Sequence, residues 1–522
     1  MRTLAVHQEP PCVMSAYANR GVRAAPPPAR EAGVWPDEYR SPGCWDEMLD
    51  GDRPRLGCEG VVRALAGLSV SEIRDRQSAA DLAVRAMGIT FTVYSDSTNL
   101  DRAWPFDVIP RVLSTTEWDR VAAGLIQRLT AINMFIDDLY GAARVLDDGI
   151  VPREVIEGSS NFRAECVGAK PAQATWAHIC GSDLVRDADG TMYVLEDNLR
   201  VPSGVSYMME NRQLTKRVFA DLFRDLDIHP VDSYPNRLVD LLASLSPRPG
   251  ERPTIVLLTP GQHNSAYFEH AYLAQEMGAQ LAEGSDLVVD SNDCVYLRTI
   301  DGLARVDVIY RRVDDLFLDP TLFRPDSALG VPGLMRAWRA GNVAIANAPG
   351  AGVADDKVVY SFVPDLIRYY LAEDALIANV PTWLCADDRQ RSHVLANLDE
   401  LVVKPANESG GYGVVVGPMA TRAEKEEVRR RLLADPRGYI AQPVVRLSTV
   451  PTLCEEGIAP RHVDLRPFIL SGEVPYVTQG GLTRVALRQG SLVVNSSQGG
   501  GSKDTWVIDP AVIPPSLGPA AR

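Results

Sequence analysis

The sequence predicts a mixed α/β (α+β) protein that contains an open, mostly parallel sheet. Four short apolar runs are predicted as strands of that sheet: Thr254–Thr259, Ala279–Glu283, Val306–Tyr310 and Val343–Ala346. Apolar residues over Ser265–Met277 recur at helical spacing, and Gly278 is the expected C-cap of that helix. Parallel neighbours need a crossover connection, usually a helix, so this strand–helix–strand order favours a parallel sheet.

The segments before this sheet have other patterns. The first 35 residues, with Ala-Ala-Pro-Pro-Pro at 24–28, are predicted to form a flexible leader. Residues 76–140 are predicted to be helical, with one helix beginning over Asp81–Met87 and a long one over Thr116–Asp138. Thr115-Thr116-Glu117 is the predicted cap of the long helix.

An acidic hairpin is predicted over residues 182–198. Asp189-Gly190 is typical of a two-residue type I′ turn between two strands. With that loop, Asp183 lies opposite Glu196, and Asn198 shares the face of Glu196. Two carboxylates and an amide oxygen suit Mg²⁺, which usually keeps several waters and completes its shell with phosphate. The alternative is a solvated acidic hairpin that binds nothing.

A second polar group of residues follows the predicted strand Glu400–Pro405. Lys404 lies at its end, and the loop with Gly410, Gly411 and Gly413 leads into the strand Val414–Val416. Backbone amides of such a loop can fold over phosphates, and a lysine supplies positive charge to them. The alternative is a plain hairpin with a glycine-rich turn. This is not a Walker loop, because no Gly-Lys-Ser/Thr is present.

Several further side chains are candidates for ligand contacts. Gln442, in the predicted strand Tyr439–Pro443, could meet an adenine edge or simply belong to a core strand. Arg466 shares a face with Asp464 and could bind a phosphate or form an exposed ion pair. Arg311 is placed at the carboxyl end of a strand, where ligands bind in open sheets, and could hold a substrate carboxylate or pair with Asp314 or Asp315.

The run of small and polar residues from Asn495 to Trp506 is either a linker or a loop wrapped on a ligand. Predicted strands over Ser491–Val494 and Thr505–Val507 flank it and favour the ligand loop. Lysine is scarce in this chain, and Lys357, Lys404 and Lys503 lie in glycine-rich or acidic surroundings that are typical of sites.

Composition excludes some classes of function. The chain has 522 residues, is 46% hydrophobic and 23% charged, and carries a net charge of −15, which argues against a general nucleic-acid binder. No apolar run reaches the roughly 18 residues of a membrane span. There is no signal-peptide pattern, and the eight cysteines are scattered without C-x-x-C. These features predict a cytoplasmic protein with reduced thiols and no membrane partner.

Together these motifs resemble the circularly permuted type 2 members of the ATP-grasp superfamily, which are similar to glutathionylspermidine synthase. The resemblance covers roughly residues 85–507. It rests on segments that match in order: 195–207, 264–270, 307–312, 352–357 and 480–506. In an unpermuted chain the phosphate lysine precedes Glu-x-Asn, whereas here Glu196 and Asn198 come about 200 residues before Lys404. That inverted order is what permutation would produce.

The resemblance implies a permuted ATP-grasp fold with a pre-ATP-grasp open-sheet domain. It predicts a partly disordered leader and N-terminal segment, a metal-binding part, a pre-ATP-grasp-like domain, an ATP-binding lobe and a flexible tail, at residues 1–75, 76–225, 226–394, 395–510 and 511–522. The implied metal ligands are Asp183, Glu196 and Asn198. The implied nucleotide contacts are Lys357, Lys404, Gly410, Gly411, Gly413, Gln442, Arg466 and Asn495.

One departure from the family pattern concerns the catalytic arginine. In the synthase an arginine precedes the metal aspartate by two residues, but Gly181 stands there in this chain. Arg200 or Arg311 is the predicted substitute, and Arg484 is a further catalytic candidate.

The resemblance implies an enzyme that uses ATP and Mg²⁺ to join a small-molecule or peptide carboxylate to an amine through an acylphosphate. A phosphotransferase that uses ATP without ligation is one alternative. A catalytically silent or partner-dependent binding module is another, and relatives are often encoded beside a helical protein that could be such a partner.

Overall fold

The structure, a computed structural model, describes residues 35, 39–41, 43–95, 98–408, 413–495 and 499–510. Its strands, in chain order, are β1 (Leu49–Asp50), β2 (Arg53–Pro54), β3 (Thr90–Ser95), β4 (Thr98–Ala103), β5 (Phe106–Ser114), β6 (Ile179–Arg186), β7 (Met192–Asn198), β8 (Ile255–Leu258), β9 (Gln280–Ala282), β10 (Leu287–Val289), β11 (Val295–Thr299), β12 (Gly302–Arg305), β13 (Val308–Arg311), β14 (Ala344–Ala346), β15 (Ala378–Asn379), β16 (Trp383–Leu384), β17 (Leu401–Pro405), β18 (Val415–Val416), β19 (Tyr439–Pro443), β20 (Thr449–Cys454), β21 (Gly457–Leu470), β22 (Tyr476–Val485) and β23 (Gly501–Ile508). Its α-helices are α1 (Glu59–Ala66), α2 (Val70–Ala86), α3 (Thr115–Tyr140), α4 (Arg144–Asp147), α5 (Arg153–Glu157), α6 (Val205–Val218), α7 (Ala220–Asp225), α8 (Tyr234–Ser244), α9 (Tyr267–Met277), α10 (Asp315–Leu318), α11 (Leu334–Arg339), α12 (Lys357–Ser361), α13 (Val363–Leu371), α14 (Asp388–Ala396) and α15 (Arg422–Ala434).

An eight-stranded sheet places the C-terminal strands beside the acidic hairpin. Its order is β15-β7-β6-β21-β22-β23-β5, and β20 pairs with β21. The hairpin strand β6 is antiparallel to β21, with Gly181 opposite Phe468. The 26-residue helix α3 buries Trp118 and Phe135 in the core that covers this sheet. Side chains nearly 300 positions apart in the chain therefore lie on neighbouring strands.

The predicted parallel sheet is confirmed. It has four strands in the order β14-β13-β8-β9, and all three pairs are parallel. Helix α9 connects β8 to β9 and ends at Gly278, whose φ of +62° is the left-handed C-cap conformation. The carboxyl ends of β8 and β13 face the end of the hairpin, where both contribute to one cavity described below.

A smaller antiparallel sheet, β16-β19-β17-β18, forms a separate layer. Helix α15 covers it with Val428 and Leu432. This helix begins with a capping box between Thr421 and Glu424. Residues 449–508, beyond this layer, lie in the eight-stranded sheet with the hairpin, and the predicted division into domains stays a prediction.

The helical prediction for residues 76–140 is wrong in its middle. Helix α2 begins at Val70 and ends at Ala86, and three strands, β3 to β5, fill residues 90–114. Every residue of β5 is buried, so the run shows neither a two-residue nor a helical period. Ser114, not Thr115, caps α3: its hydroxyl oxygen accepts a hydrogen bond from the Glu117 amide at 3.3 Å.

Two further expectations concern the chain ends. The predicted strand over Ser491–Val494 does not form, and β23 begins at Gly501. The predicted flexible leader covers residues 1–35, of which only Trp35 is described, and the predicted tail, 511–522, lies outside the described residues. None of the helices in the described ranges is long and apolar enough to span a bilayer.

Asn347 ties the parallel sheet to the hairpin. Its Oδ1 accepts the amides of His178 and Ile179, both at 2.7 Å. Its Nδ2 donates to the carbonyls of Ile179 and Leu199 at 2.6 and 2.5 Å. Because all four bonds are to backbone, the strand entering the hairpin and the segment leaving it are both fixed to the end of β14.

Candidate functional site

The acidic hairpin pairs Asp183 with Glu196 as predicted, but its turn differs from the predicted one and one strand contains a bulge. The predicted two-residue turn is wrong: the Asp187 amide donates to the Thr191 carbonyl at 3.0 Å, which closes a three-residue loop, 188–190. A bulge beside Asp183 then leaves Leu195 as an extra residue on β7 and restores the pairing. The Trp45 ring lies 2.4 Å from where a Cβ of Gly190 would be, so only glycine fits this loop.

Two arginines from the neighbouring strands enclose the Asp183 carboxylate. Arg484 donates to Asp183 Oδ2 at 2.6 Å, and Arg466 donates through both Nε and Nη2. Arg484 also pairs with Asp464 at 2.9 Å. Burial raises the pKa of Asp183, but the two guanidinium groups outweigh it and hold that pKa well below the usual range. Asp183 is therefore an ionised carboxylate whose charge is balanced by protein groups.

Glu196 faces two lysines. Lys357 Nζ lies 3.4 Å from Glu196 Oε2 and donates to the Glu408 carbonyl at 2.7 Å. Lys404 Nζ donates to Gln442 Oε1 at 2.7 Å. Burial lowers the pKa of Lys404 to about 8, although the charge of Glu196 raises it in part. The two ammonium groups have few anionic partners, which suits them to bind a polyanion.

The first cavity, of about 300 Å³, collects most of the predicted nucleotide-site residues. Its polar lining is Asp183, Glu196, Lys357, Lys404, Glu408, Gln442, Asp464, Arg484 and Asn495. Apolar side chains, including Val402, Val416 and Leu447, line the rest. A cavity lined by apolar side chains and by lysines fits a nucleotide, whose base can stack on apolar groups and whose phosphates are anionic. Gly413 has a φ of +71°, and Gly410 and Gly411 lie outside the described residues.

A second cavity, of about 470 Å³, begins where the hairpin ends. Asn198 and Arg200 line it, together with Asn264 and His270 from the α9 segment and Arg312 after β13. Asn198 Nδ2 donates to the Gly181 carbonyl at 2.9 Å. Asn198 thus borders a different cavity from Glu196, although the two residues share a strand.

The structure does not bring the predicted catalytic residues together: Arg484 lines the first cavity and Arg200 the second. Arg200 reaches the second cavity and pairs with Asp355 and Asp314 at 2.7 and 3.1 Å. Arg311 reaches neither cavity within the described residues: its side chain is fully buried, bonded to carbonyls and paired with Asp315 at 2.7 Å. Its alternative interpretation as an ion pair is therefore the observed one, in the core instead of at the surface.

Arg466 occupies the space over Gly181, where the family arginine is missing. A Cβ at position 181 would lie 3.3 Å from Arg466 Cδ. Arg466 thus brings a guanidinium to Asp183 from β21, and the prediction that Arg200 or Arg311 takes this place finds no such contact with Asp183 among the described residues. The sequence pattern indicated Asp464 only as a partner of Arg466 and gave no signal for Glu408, yet both line the first cavity.

The oxygen donors fit magnesium in kind, but they do not form a complete metal site by themselves. Among the described residues, no group of three or more His, Cys, Asp or Glu side chains could hold a metal ion. Asp183 is engaged by two arginines, whereas the Glu196 carboxylate faces the first cavity beside Lys357. Mg²⁺ is commonly held by one or two carboxylates plus substrate phosphates, and Glu196 with a bound nucleotide would match that mode.

Comparison with known proteins identifies the family of this chain. The sequence profile of the family described as circularly permuted ATP-grasp type 2 matches residues 110–486. An uncharacterized protein of Synechocystis is 53% identical over 87% of this chain and 95% of its own length, and one of Mycobacterium tuberculosis is 49% identical over 89% and 84%.

Two other relatives differ in length or in sequence. A Frankia casuarinae protein with the provisional name glutamate–cysteine ligase 2-2 is 44% identical over 90% of this chain, which spans only 54% of that protein. The solved structure of a glutathione synthetase-like effector from Globodera pallida, in its apo form, superposes with a TM-score of 0.53 at 12% identity, over 84% of this chain and 97% of that one. At that identity the likeness concerns the fold alone.

Proposed function

This chain belongs to the circularly permuted ATP-grasp type 2 family, and from that premise we propose that it is an ATP- and Mg²⁺-dependent carboxylate–amine ligase. The observation that carries the proposal is the pair of cavities on either side of the hairpin end. Glu196 and two lysines face the first cavity, and Asn198 and Arg200 face the second. The ligase name of the Frankia relative supports the same class of reaction.

The first cavity is the proposed nucleotide site. The base would lie among the apolar side chains near Val402 and Leu447, with Gln442 at its polar edge. The phosphates would lie between Lys404 and Lys357, whose charges attract them. When bound with Glu196 and phosphate oxygens, magnesium would neutralise negative charge on the nucleotide.

In the proposed reaction a carboxylate oxygen attacks the γ-phosphorus of ATP and ADP leaves, which gives an acylphosphate. The amine nitrogen then attacks the acyl carbon, phosphate leaves, and the amine proton is released. Lys404, Lys357 and Arg484 would stabilise the charge that moves onto the phosphate oxygens in the first step. Arg466, held on Asp183, would keep the cationic side of the cavity in place for the reaction.

The test of this function is the stoichiometry of products. We expect ADP release to require both a carboxylic acid and an amine, and mass spectrometry to find an amide of the two. A phosphorylated product that forms without amine would instead identify a phosphotransferase. Candidate acids and amines can be screened as mixtures, with ADP as the readout.

A partner-dependent or silent binding module is the second candidate. The observation that favours it is the neutralisation of Asp183 by two protein arginines, which removes one of the predicted carboxylate ligands from magnesium binding. Thermal unfolding with and without Mg²⁺-ADP distinguishes a nucleotide-binding module from a protein that binds no nucleotide. A ligand at 100 times its dissociation constant stabilises the folded protein by about 2.7 kcal/mol. A nucleotide-dependent shift without turnover in any mixture would support this second function.

The lowered pKa of Lys404 predicts opposite pH dependences for binding and stability. Lys404 loses its proton near pH 8 in the folded protein, whereas its ordinary pKa is 10.5. Nucleotide affinity should therefore fall, by up to about tenfold per pH unit, as the pH rises above 8. Between pH 8 and 10.5 this lysine is more often protonated in the unfolded chain than in the folded protein. The free energy of unfolding should therefore increase as the pH rises through this window.

Calorimetric titration with ADP and urea unfolding, each from pH 7 to 9.5, measure these two slopes. The Lys404→Met variant is the control and should lack both. An affinity that stays constant to pH 9.5 in the parent protein would remove Lys404 from the phosphate site.

A further inference from the structure

We propose that the second cavity binds the amine substrate as an ammonium cation; this inference rests on the proposed ligase function. The cavity begins at Asn198, two residues beyond Glu196 on β7, and so lies beside the place where an acylphosphate would form. Its volume of about 470 Å³ is within the range of small-molecule sites.

The charges around the second cavity favour a cation. Among the described residues, its charged lining consists of Arg200, Arg312, Asp314 and Asp355. Arg312 is paired with the buried Glu269 at 2.9 Å. The lining itself holds two arginines and two aspartates; with the buried Glu269 bound to Arg312, the group of five carries one negative charge in excess.

Protein groups already bind both arginines, although Arg312 Nε has no partner among the described residues. Arg312 Nη1 donates to the Pro202 carbonyl at 2.6 Å and to the Tyr310 hydroxyl at 2.8 Å, and Nη2 donates to Glu269. Arg200 uses Nε on Asp355 and Nη1 on Asp314. Of the five charged side chains in these ion pairs, that of Asp314 is the most exposed, at 34%. The most accessible charge at the cavity is therefore negative.

His270 supplies an observation independent of these charges. The residue is buried and lines the cavity, and its Nδ1 is 2.9 Å from the Thr259 hydroxyl. No group among the described residues bonds to its Nε2, so that nitrogen is a polar atom left for a ligand. Burial and the charge of Arg312 lower the pKa of His270 to about 2, so the ring adds no positive charge to the cavity.

The test measures the charge preference of the cavity directly. Ser203→Cys places a thiol on its wall, and Ser392→Cys places one on the exposed face of α14 as a reference. Each variant is labelled with a trimethylammonium-bearing and a sulfonate-bearing methanethiosulfonate, and peptide mass spectrometry follows the rate at that position. The ratio of cationic to anionic rates at 203, divided by the ratio at 392, corrects for the net charge of the whole protein.

We expect a corrected ratio of about ten, which one net charge at about 6 Å produces for probes of opposite sign even at the dielectric constant of water. Adding Asp314→Asn should lower the ratio towards one. A ratio of one or below overturns the proposal; below one, the cavity prefers anions, as the N-terminus of α9 at its edge would favour.

The labelling result does not depend on ligation. If no acid and amine are joined but the ratio is high, the ligase function fails and the cation site stands. In an active protein, Asp314→Asn should raise the KM for the amine severalfold and leave the KM for ATP unchanged. An unchanged KM for the amine would overturn the assignment even where ligation is established.

Discussion

Replacing Glu196 with glutamine is expected to lower ligase turnover by at least about 100-fold while the protein stays folded. The substitution removes one of the two carboxylates, Glu196 and Glu408, that line the described part of the first cavity without an arginine partner, and with it the charge that would hold magnesium on the phosphates. Glu196 is 23% exposed and its ion pair with Lys357 is 3.4 Å long, so the loss of that pair should cost at most about 1 kcal/mol. Turnover is followed as ADP release, and folding by urea unfolding.

Glu426→Gln is the matched control, because Glu426 is exposed on α15, outside both cavities. Turnover and stability should both be unchanged in it. Undiminished ADP release in Glu196→Gln would contradict the proposed magnesium site and leave the nucleotide site to the lysines alone.

Replacing Lys503 with methionine is expected to destabilise the protein by about 3–5 kcal/mol, because it leaves a buried carboxylate without its counter-ion. The sequence marked Lys503 as a candidate site residue, but the structure buries it completely. Its ammonium group pairs with Asp107 and donates to the carbonyls of Ile109 and Pro451 at 3.1 and 3.0 Å. All three of its donors are used within the core.

Lys404→Met is the informative counterpart, since Lys404 is also a buried lysine but faces the first cavity. It should lose at least about tenfold in ADP affinity, because a point charge at the phosphates is removed, and it should not lose stability. Urea unfolding and calorimetric titration are compared for both variants. A loss of affinity in folded Lys503→Met would show that the two lysines were assigned the wrong way round.

The sequence predicts those parts of the fold that are determined by residues close together in the chain. The β8–α9–β9 unit and the strands around Lys404 follow from periodicity, capping residues and turn signals within about 30 positions. The hairpin pairing also followed, although its turn was wrong, because the bulge at Leu195 compensated for the extra loop residue. Strand β5 was missed because a strand buried on both faces has no alternation to detect.

The candidate site was predictable to the extent that its residues lie in local motifs. Glu196, Lys404 and Gln442 lie near strand ends that the sequence predicts, and all line the first cavity. The partners of Asp183 were not predictable, since Arg466 is 283 positions away and only the sheet order β6-β21-β22 makes them neighbours. The burial of Arg311 was not predictable for the same reason. Its position at the end of a strand is as predicted, but its side chain is buried because it donates to the carbonyls of residues 347 and 348, which are distant in the chain.

The contact between Gly181 and Arg466 has a consequence for how relatives of this protein diverge. The arginine stem covers the open face of the glycine, so a long side chain at 181 and one at 466 would compete for one volume. Across aligned relatives the two positions should therefore covary, with an arginine at one excluding a large residue at the other. Relatives would then all keep a guanidinium beside the aspartate, but the arginine that supplies it would lie on β6 in some and on β21 in others.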